Sequence, residues 1–217
     1  MAAGRVGIFV KQPLPGRAKT RLCPPLTPVE AAAFYAVAQE ETIARLIAGP
    51  WTVTLVYSGA DDYFRDRFPQ LPLLPQGEGD LGVRLQRAAA ALLAAHGPVV
   101  LVGSDAPDLP LGLVGDAIRA LSEVDAVAAP AADGGYVLIG LRQLLPPLFA
   151  DIPWSTAEVL ACTRRRAAEA GLSWRELTPW EDVDDFPALL GLLKRSPSSA
   201  SAAFVRRRLS HHLPAVS

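Results

Sequence analysis

The 217-residue sequence predicts a single-domain α/β protein, a Rossmann-like three-layer sandwich with a mostly parallel central sheet. The first observation is that short segments rich in β-branched residues alternate along the chain with longer segments of helical periodicity. The second is the segment PVVLV at residues 98–102, which is apolar throughout, as is typical of a strand buried on both faces of a parallel sheet. Ligands bind such folds outside the carboxyl ends of the strands, so the loops that follow the strands are the candidate sites.

The N-terminal part of the chain is predicted to contain three strands and three helices. The first strand is expected at 6–10, and Thr27, Pro28 and Glu30 then form a capping-box start for a helix that runs to about Ile47. The next elements are a strand at 52–57, a short helix at 61–68, a short strand at 71–74 and a helix at 81–95. His96 follows at the predicted helix end, where a cation favours the helix dipole, and this interpretation is preferred to a catalytic one.

The C-terminal part continues the alternation. The expected elements are a strand at 98–102, a helix at 111–121, strands at 125–129 and 136–140, and helices at 156–170 and 186–194. A run rich in Ser, Ala and Pro follows at 196–203, and then an arginine run and two histidines. We therefore expect one domain over residues 1–195 and a partly ordered Ser/Ala/Arg-rich tail over 196–217.

Composition excludes several classes of protein. The formal net charge of −1 argues against nucleic acid as a partner. Cys23 and Cys162 are too few and too far apart for a disulfide framework or a structural zinc site. The first residues lack the features of a signal peptide, and no apolar run approaches the roughly 20 residues that span a membrane. The cytoplasm is the expected location, and the sequence predicts no particular oligomeric state.

The loop after the first predicted strand has the composition of a phosphate-binding loop. It contains Lys11, Gly16, Arg17, Lys19, Thr20 and Arg21. The chain has 18 arginines and three lysines, so two lysines in this one loop suggest compact charges kept for phosphate. Neither the Walker A pattern nor the dinucleotide-binding fingerprint is present. Taken alone, the segment fits either a pyrophosphate-binding loop or a solvated basic loop.

Acidic side chains follow the most apolar predicted strand. Asp105 comes directly after residues 98–102, where a carboxylate can face a cleft and ligate a hard cation such as Mg²⁺. Asp108 either assists it or caps the next helix, and capping is the favoured interpretation. A second acidic segment, EDVDD at 181–185, precedes the last predicted helix, and its carboxylates need neutralisation by a metal ion or by the helix amino end.

A glycine pair precedes the strand predicted at 136–140. In the segment Asp133, Gly134, Gly135, Tyr136, the glycines permit a positive φ or a close approach of the backbone to a ligand. Tyr136 could stack on a ligand or hydrogen-bond to one. A plain hairpin turn would have the same sequence, so the segment by itself is weak evidence for a site.

Together these segments resemble a family of bacterial proteins with the glycosyltransferase-A, or nucleotide-diphosphosugar transferase, fold. The matching motifs occur in order as KQPLPGRAKTRL at 11–22, GDLGVR at 79–84, GSDAPDL at 103–109, PAADGGYVLIG at 130–140, WST at 154–156 and DVD at 182–184. The resemblance covers roughly residues 5–195. The chain is also similar, more distantly, to 2-phospholactate guanylyltransferases and molybdenum-cofactor nucleotidyltransferases.

The resemblance implies roles for individual residues. The nucleotide would be held by Lys11, Gly16, Arg17, Lys19, Thr20, Arg21 and Gly82, with Gly82 approaching the base or ribose. Lys19, Arg21 and Asp105 are the implied catalytic residues. Asp105 and Asp184 would ligate Mg²⁺ or Mn²⁺. The acceptor or sugar pocket would be lined by Asp133, Gly134, Gly135, Tyr136 and Trp154.

The implied activity is metal-dependent transfer from a nucleotide-activated donor to a small-molecule acceptor. A glycosyltransferase that uses a nucleotide sugar is favoured. A nucleotidyltransferase of the guanylyl or cytidylyl type, releasing pyrophosphate from a nucleoside triphosphate, is the alternative. A catalytically inactive nucleotide-binding protein is the third possibility.

Overall fold

Seven strands form one sheet in the computed structural model, which describes residues 4–94 and 97–214. The strands are β1 (Arg5–Lys11), β2 (Thr52–Ser58), β3 (Leu73–Pro75), β4 (Val99–Gly103), β5 (Ala126–Pro130), β6 (Tyr136–Leu141) and β7 (Trp174–Glu176). Their spatial order is β3-β2-β1-β4-β6-β5-β7. Within these described strands, β6 runs antiparallel to both neighbours and the other pairs are parallel. The predicted mostly parallel sheet is therefore confirmed.

Helices cover both faces of the sheet. They are α1 (Pro28–Ile47), α2 (Asp61–Arg67), α3 (Leu81–Leu93), α4 (Leu111–Ala120), α5 (Val159–Glu169), α6 (Phe186–Arg195) and α7 (Ala200–Arg208). Short 3₁₀ turns occupy Thr20–Leu22, Pro146–Phe149 and Ser210–His212. One apolar cluster packs side chains of α1, α2 and α4 on one face of the sheet, and a second packs α3 and α5 on the other. The three-layer sandwich is confirmed, because apolar strands such as β4 must be covered on both sides.

Most predicted elements are present, and their ends follow local chemistry. The capping box of α1 is formed, because the Thr27 hydroxyl accepts the Glu30 amide and the Glu30 carboxylate accepts the Thr27 amide. Helix α5 begins at Val159, three residues later than predicted, because the Thr156 hydroxyl holds a turn by donating to the Pro153 carbonyl and accepting the Glu158 amide. Strand β7 was not predicted, since its three residues are too short to show a period. His96 and the end of the helix predicted at 81–95 lie outside the described residues.

The described part of the C-terminal segment, for which a partly ordered tail was expected, contains helix α7. Helix α7 packs on α1, where Val205 and Leu209 join a buried cluster with Phe34. The Glu41 carboxylate accepts the amide of Ser201 at 2.8 Å and the Ser201 hydroxyl at 2.6 Å, at the amino end of α7. The small residues that give this segment its low complexity also allow close helix packing. A low-complexity composition therefore does not by itself distinguish a packed helix from a partly ordered tail.

The topology brings three strand ends to one edge of the sheet. The carboxyl ends of β1 and β4 meet there, because the two strands are parallel neighbours. Strand β6 pairs antiparallel with β4, so its amino end, at Tyr136, lies at the same edge. Across the described residues, none of the helices has the length and apolar character required to cross a bilayer.

Candidate active site

A cleft of about 400 Å³ opens at this edge and gathers charges of both signs. Its charged lining residues are Lys11, Arg17, Lys19, Arg21, Arg84, Asp105 and Asp184, and Thr20 lines it as well. The structure therefore brings most of the predicted phosphate-binding residues together with both predicted metal ligands. Arg84 was not predicted as a site residue, although it stands at the end of the GDLGVR motif.

Lys19 links the basic loop to the acidic side of the cleft. Its Nζ lies 2.6 Å from Oδ1 of Asp105 and 2.7 Å from Oδ1 of Asp184. The Lys19 side chain is 5% exposed. Burial by itself lowers the pKa of Lys19, but the two carboxylates outweigh it and hold that pKa above its usual range. Lys19 therefore stays charged at the floor of the cleft.

The backbone of the loop is held in an unusual conformation at the same residue. Lys19 has φ 51° and ψ 42°, the left-handed region, which costs a non-glycine residue about 1–2 kcal/mol. Gly16 also has a positive φ, of 73°, where glycine carries no such penalty. A strained lysine that nevertheless forms two short ion pairs indicates that the surrounding contacts determine its position.

A buried polar network supports the loop from below. The Tyr35 hydroxyl lies 2.8 Å from Oγ of Ser104 and accepts the Lys11 amide at 3.1 Å. Gln39 donates to the Lys11 carbonyl at 2.9 Å and to the Tyr35 hydroxyl at 3.1 Å. Burial raises the pKa of Tyr35 to about 12, so its hydroxyl stays neutral. Neither Tyr35 nor Gln39 was found from the sequence, because their partners outside α1 lie at least 24 residues away along the chain.

A single backbone hydrogen bond places the second acidic segment beside the first. The Val183 amide donates to the Asp105 carbonyl at 2.8 Å, and the Val183 side chain is fully buried among apolar residues of α1 and α6. Of the two residues beside this anchor, Asp184 lines the cleft and Asp182 lines a second pocket that adjoins it. Burial and the neighbouring Asp184 raise the pKa of Asp182 to about 6, against the opposing effect of Lys19.

Three carboxylates form a group suited to a divalent cation. One oxygen each from Asp133, Asp182 and Asp184 lie within 4.8 Å of one another. Carboxylate oxygens are the ligands that Mg²⁺ and Mn²⁺ prefer, so the residues present could hold such an ion. Asp184 was a predicted ligand, whereas Asp133 had been expected in the acceptor pocket. Asp182 was missed as an individual ligand, although the acidic run around it was recognised.

The glycine pair is explained by the tight turn between β5 and β6. Gly134 has φ 88°, and a side chain there would place Cβ 2.1 Å from the Ala157 carbonyl oxygen. The Asp133 carboxylate accepts the Gly135 amide at 2.9 Å. The hairpin alternative thus accounts for the glycines, and the turn directs Asp133 to the acidic group.

Tyr136 borders a second, more apolar pocket of about 210 Å³. This pocket adjoins the cleft, and the two share Phe9, Leu81 and Asp105 as lining residues. The Tyr136 hydroxyl is buried, and burial raises its pKa against the opposing effect of Thr163. The pocket offers an apolar surface next to the carboxylates of Asp105 and Asp182.

Gly82 and Trp154 pack against each other rather than across the cleft. A Cβ atom on Gly82 would lie 2.8 Å from Trp154 Nε1 and 2.8 Å from the Phe149 carbonyl oxygen. Trp154 packs with apolar residues of the two clusters near α3 and α5. The first turn of α3 instead presents Leu81 and Arg84 to the cleft. Gly82 therefore allows close packing, which differs from its predicted approach to a base or ribose.

Asp108 neither caps a helix nor faces the site. Its side chain is 1% exposed and accepts Arg195 Nε at 2.8 Å and the Ser196 hydroxyl at 3.2 Å. The residue that precedes α4 is Pro110. The prediction of capping was wrong because the partner of Asp108 lies at the end of α6, far along the chain. Asp185 does cap its helix, accepting the Ala188 amide at 2.9 Å.

This sheet, with a charged cleft at its edge, has the fold of the nucleotide-diphosphosugar transferases. The chain belongs to a bacterial family described as "uncharacterized protein conserved in bacteria" (DUF2064), whose model matches residues 42–156. A structure from Desulfovibrio desulfuricans G20, assigned as a nucleotide-diphospho-sugar transferase, is 31% identical, with a TM-score of 0.88 over 97% of this chain and 96% of that one. No curated protein matches the chain.

Two more distant structures share the fold alone. CMP:2-keto-3-deoxy-manno-octonic acid synthetase in complex with CTP is 11% identical, with a TM-score of 0.54 over 98% of this chain and 100% of that one. Rv0371c from Mycobacterium tuberculosis H37Rv, in complex with manganese, is 18% identical, with a TM-score of 0.54 over 88% of this chain and 98% of that one. Of these neighbours, the 31% identical nucleotide-diphospho-sugar transferase supports a transferase as the broad class.

Proposed function

We propose that this chain is a metal-dependent glycosyltransferase that uses a nucleotide sugar as its donor. The observation that carries the proposal is the ammonium group of Lys19, buried between Asp105 and Asp184 in a cleft that Arg17 and Arg21 also line. A diphosphate is the ligand that suits this set of cations, since its oxygens can pair with several at once. The identity of 31% to the assigned nucleotide-diphospho-sugar transferase supports the same donor class.

The proposed chemistry needs charge stabilisation at the leaving group. The oxygen of the acceptor hydroxyl bonds to the anomeric carbon of the sugar and releases its proton to solvent, and the bond from that carbon to the diphosphate oxygen breaks. The nucleoside diphosphate leaves with the electron pair, and Lys19 and Arg21 stabilise its growing negative charge. A divalent ion, Mg²⁺ or Mn²⁺, supplies further stabilisation of the same charge when bound. The proposed ligands are Asp105 and Asp184, as the resemblance implies. Asp184 also belongs to the group of three carboxylates, so Asp133 and Asp182 are proposed as further ligands.

The apolar pocket beside Asp105 is the proposed site of the transferred sugar or the acceptor. Phe9, Leu85 and Tyr136 supply its apolar surface, and Asp182 its polar edge. A sugar ring has an apolar face and a hydroxyl rim, which suits such a surface.

The cytoplasm is the proposed location, because Cys23 and Cys162 are both free thiols in the described structure.

Nucleotidyl transfer is the second candidate. It is favoured by the phosphate loop itself, because attack on an α-phosphorus with loss of pyrophosphate needs positioned cations and little side-chain proton transfer. The synthetase in complex with CTP supports this alternative at the level of the fold.

The experiment compares the two reactions directly. Purified protein is incubated with Mn²⁺ or Mg²⁺ and either nucleotide sugars or nucleoside triphosphates, and thermal shift and product release are followed. Metal-dependent stabilisation by one nucleotide sugar, with release of nucleoside diphosphate when an acceptor is added, supports glycosyl transfer. Release of pyrophosphate from a triphosphate supports the second candidate, and no stabilisation by any nucleotide contradicts both.

Two matched variants locate the effect. Asp105→Asn should abolish the metal-dependent part of the nucleotide stabilisation, because it removes the charge of a proposed metal ligand that also pairs with Lys19. Asp116→Asn changes an exposed aspartate on α4 that pairs with Arg119, and it should leave binding unchanged. Equal binding by both variants would exclude Asp105 from the site.

A further inference from the structure

Two histidines and a glutamate converge at the amino end of α1. His211 Nε2 lies 3.1 Å from Oε1 of Glu30, and His212 Nε2 lies 3.2 Å from Oε2. The imidazoles belong to the 3₁₀ turn Ser210–His212, which follows α7, whereas Glu30 lies in the first turn of α1. Three side chains with metal-binding atoms, from the two ends of the described chain, therefore meet at one point.

An ion pair needs fewer groups than this cluster contains. One carboxylate neutralises one imidazolium, yet the rings of His211 and His212 both turn to Glu30, with their centroids 4.0 Å apart. Two cationic rings at that separation would repel each other. A single metal ion would satisfy both imidazole nitrogens as neutral ligands.

The distances suit a tetrahedral ion. The three potential ligand atoms lie within 4.8 Å of one another. Zinc binds imidazole nitrogen and carboxylate oxygen at about 2.0–2.2 Å, so its ligand atoms stand roughly 3.3–3.5 Å apart in tetrahedral geometry. Each imidazole is already close to that spacing from one carboxylate oxygen, His211 at 3.1 Å from Oε1 and His212 at 3.2 Å from Oε2.

Only one of the two oxygens of the Glu30 carboxylate takes part in the cap of α1. Oε2 accepts the Thr27 amide and the Thr27 hydroxyl, each at 2.8 Å, and so holds the capping box of α1. Oε1 contacts His211. A metal ion on Oε1 would leave the cap intact, so binding need not disrupt the start of the helix.

We propose that Glu30, His211 and His212 form a Zn²⁺ site separate from the charged cleft. Two imidazoles and one carboxylate are a ligand set that zinc accepts and that Mg²⁺ disfavours. The ion joins the turn after α7 to the start of α1, the helix that follows the phosphate loop. Its role is to stabilise the packing of the C-terminal segment on the domain.

The test measures Zn²⁺ binding to the full chain by calorimetry in the presence of excess Mg²⁺, which occupies sites made of carboxylates alone. The wild type should bind one Zn²⁺ that His211→Ala weakens by at least about tenfold, since a direct ligand is lost. His211 is 60% exposed, so this variant should fold normally. The control is His96→Ala, which removes the third histidine of the sequence and should bind Zn²⁺ like the wild type.

Two further readouts separate a metal site from a pair of ion pairs. Zn²⁺ should raise the melting temperature of the wild type and of His96→Ala, but not that of His211→Ala. In NMR spectra, Zn²⁺ should shift the ring signals of His211 and His212 and leave those of His96 in place. Equal Zn²⁺ affinity in the wild type and His211→Ala would overturn the proposal. This result would leave the proposed transferase activity untouched.

Discussion

Lys19 and Asp184 form an ion pair of 2.7 Å between segments from opposite parts of the chain. The same ammonium lies 2.6 Å from Asp105, so one lysine joins the two acidic loops of the site. Asp184 also belongs to the acidic group that could hold a cation. A donor diphosphate would therefore meet a lysine that is already positioned, which avoids reorganisation when charge develops.

Replacing Lys19 by methionine should destabilise the fold and remove nucleotide binding. The variant leaves Asp105 and Asp184 close together without their shared cation, at a cost of about 1–3 kcal/mol because both carboxylates are partly solvated. Urea denaturation and a nucleotide titration measure the two effects. Lys194→Met, at an exposed position in the last turn of α6, is the control and should change neither. Normal stability of Lys19→Met would show that the ion pairs contribute nothing to the fold.

Adding a methyl group at Gly82 should destabilise α3. The new Cβ would lie 2.8 Å from both Trp154 Nε1 and the Phe149 carbonyl oxygen, so the helix start must shift, at a cost of about 1–3 kcal/mol. Gly112→Ala in α4 is the matched control, because open space surrounds that position and alanine favours a helix by about 0.5–1 kcal/mol. Thermal denaturation of the two variants should show shifts of opposite sign. A Gly82→Ala variant that keeps its stability and loses nucleotide affinity would instead support the role in nucleotide binding implied by the resemblance.

Asp108→Asn should destabilise the protein without changing the cleft. Asp108 is buried and its carboxylate holds Arg195, which has 25% of its side chain exposed. Removing the charge of Asp108 costs about 1–3 kcal/mol, because Arg195 then keeps only the more exposed Glu181 as a counter-charge. The exposed pair of Asp116 and Arg119 is the comparison, and Asp116→Asn should cost about 0–1 kcal/mol. Equal denaturation midpoints for the two variants would contradict the prediction.

The stability contributed by Asp125 should depend on pH. The Ser173 hydroxyl and amide donate to its carboxylate, at 2.6 and 3.0 Å, and they lower the pKa of Asp125 below its ordinary value. A carboxyl whose pKa is lower in the folded state stabilises the fold above its unfolded pKa and loses that effect as the pH falls through the folded value. Ser173→Ala should therefore destabilise more at neutral pH than at about pH 2. Chemical denaturation at both pH values measures the difference, and an equal loss at both would contradict the assignment.

Much of the fold could be predicted because its determinants are local. The capping box of Thr27 and Glu30 spans four residues, and the apolar run of β4 is continuous, so both appear in any short window of sequence. The basic loop at 11–22 and Asp105 were also identified as candidates for one site, since each follows a strand that the sequence marks plainly, and in the structure both line the cleft. The rule that sites lie at the carboxyl ends of parallel strands then predicts that they meet.

Sequence patterns alone predicted the class of fold, the helices from α1 to α6 and every charged group of the cleft except Arg84. Three contacts become visible only in the folded chain: Asp108 pairs with Arg195, Gly82 packs on Trp154, and Asp182 joins the acidic group. Local patterns report on hydrogen bonds and periodicities within a few residues, whereas each of these contacts joins different elements. The position of Asp182 depends on one amide, that of Val183, reaching the carbonyl of Asp105, and no period in the sequence records a contact of that kind.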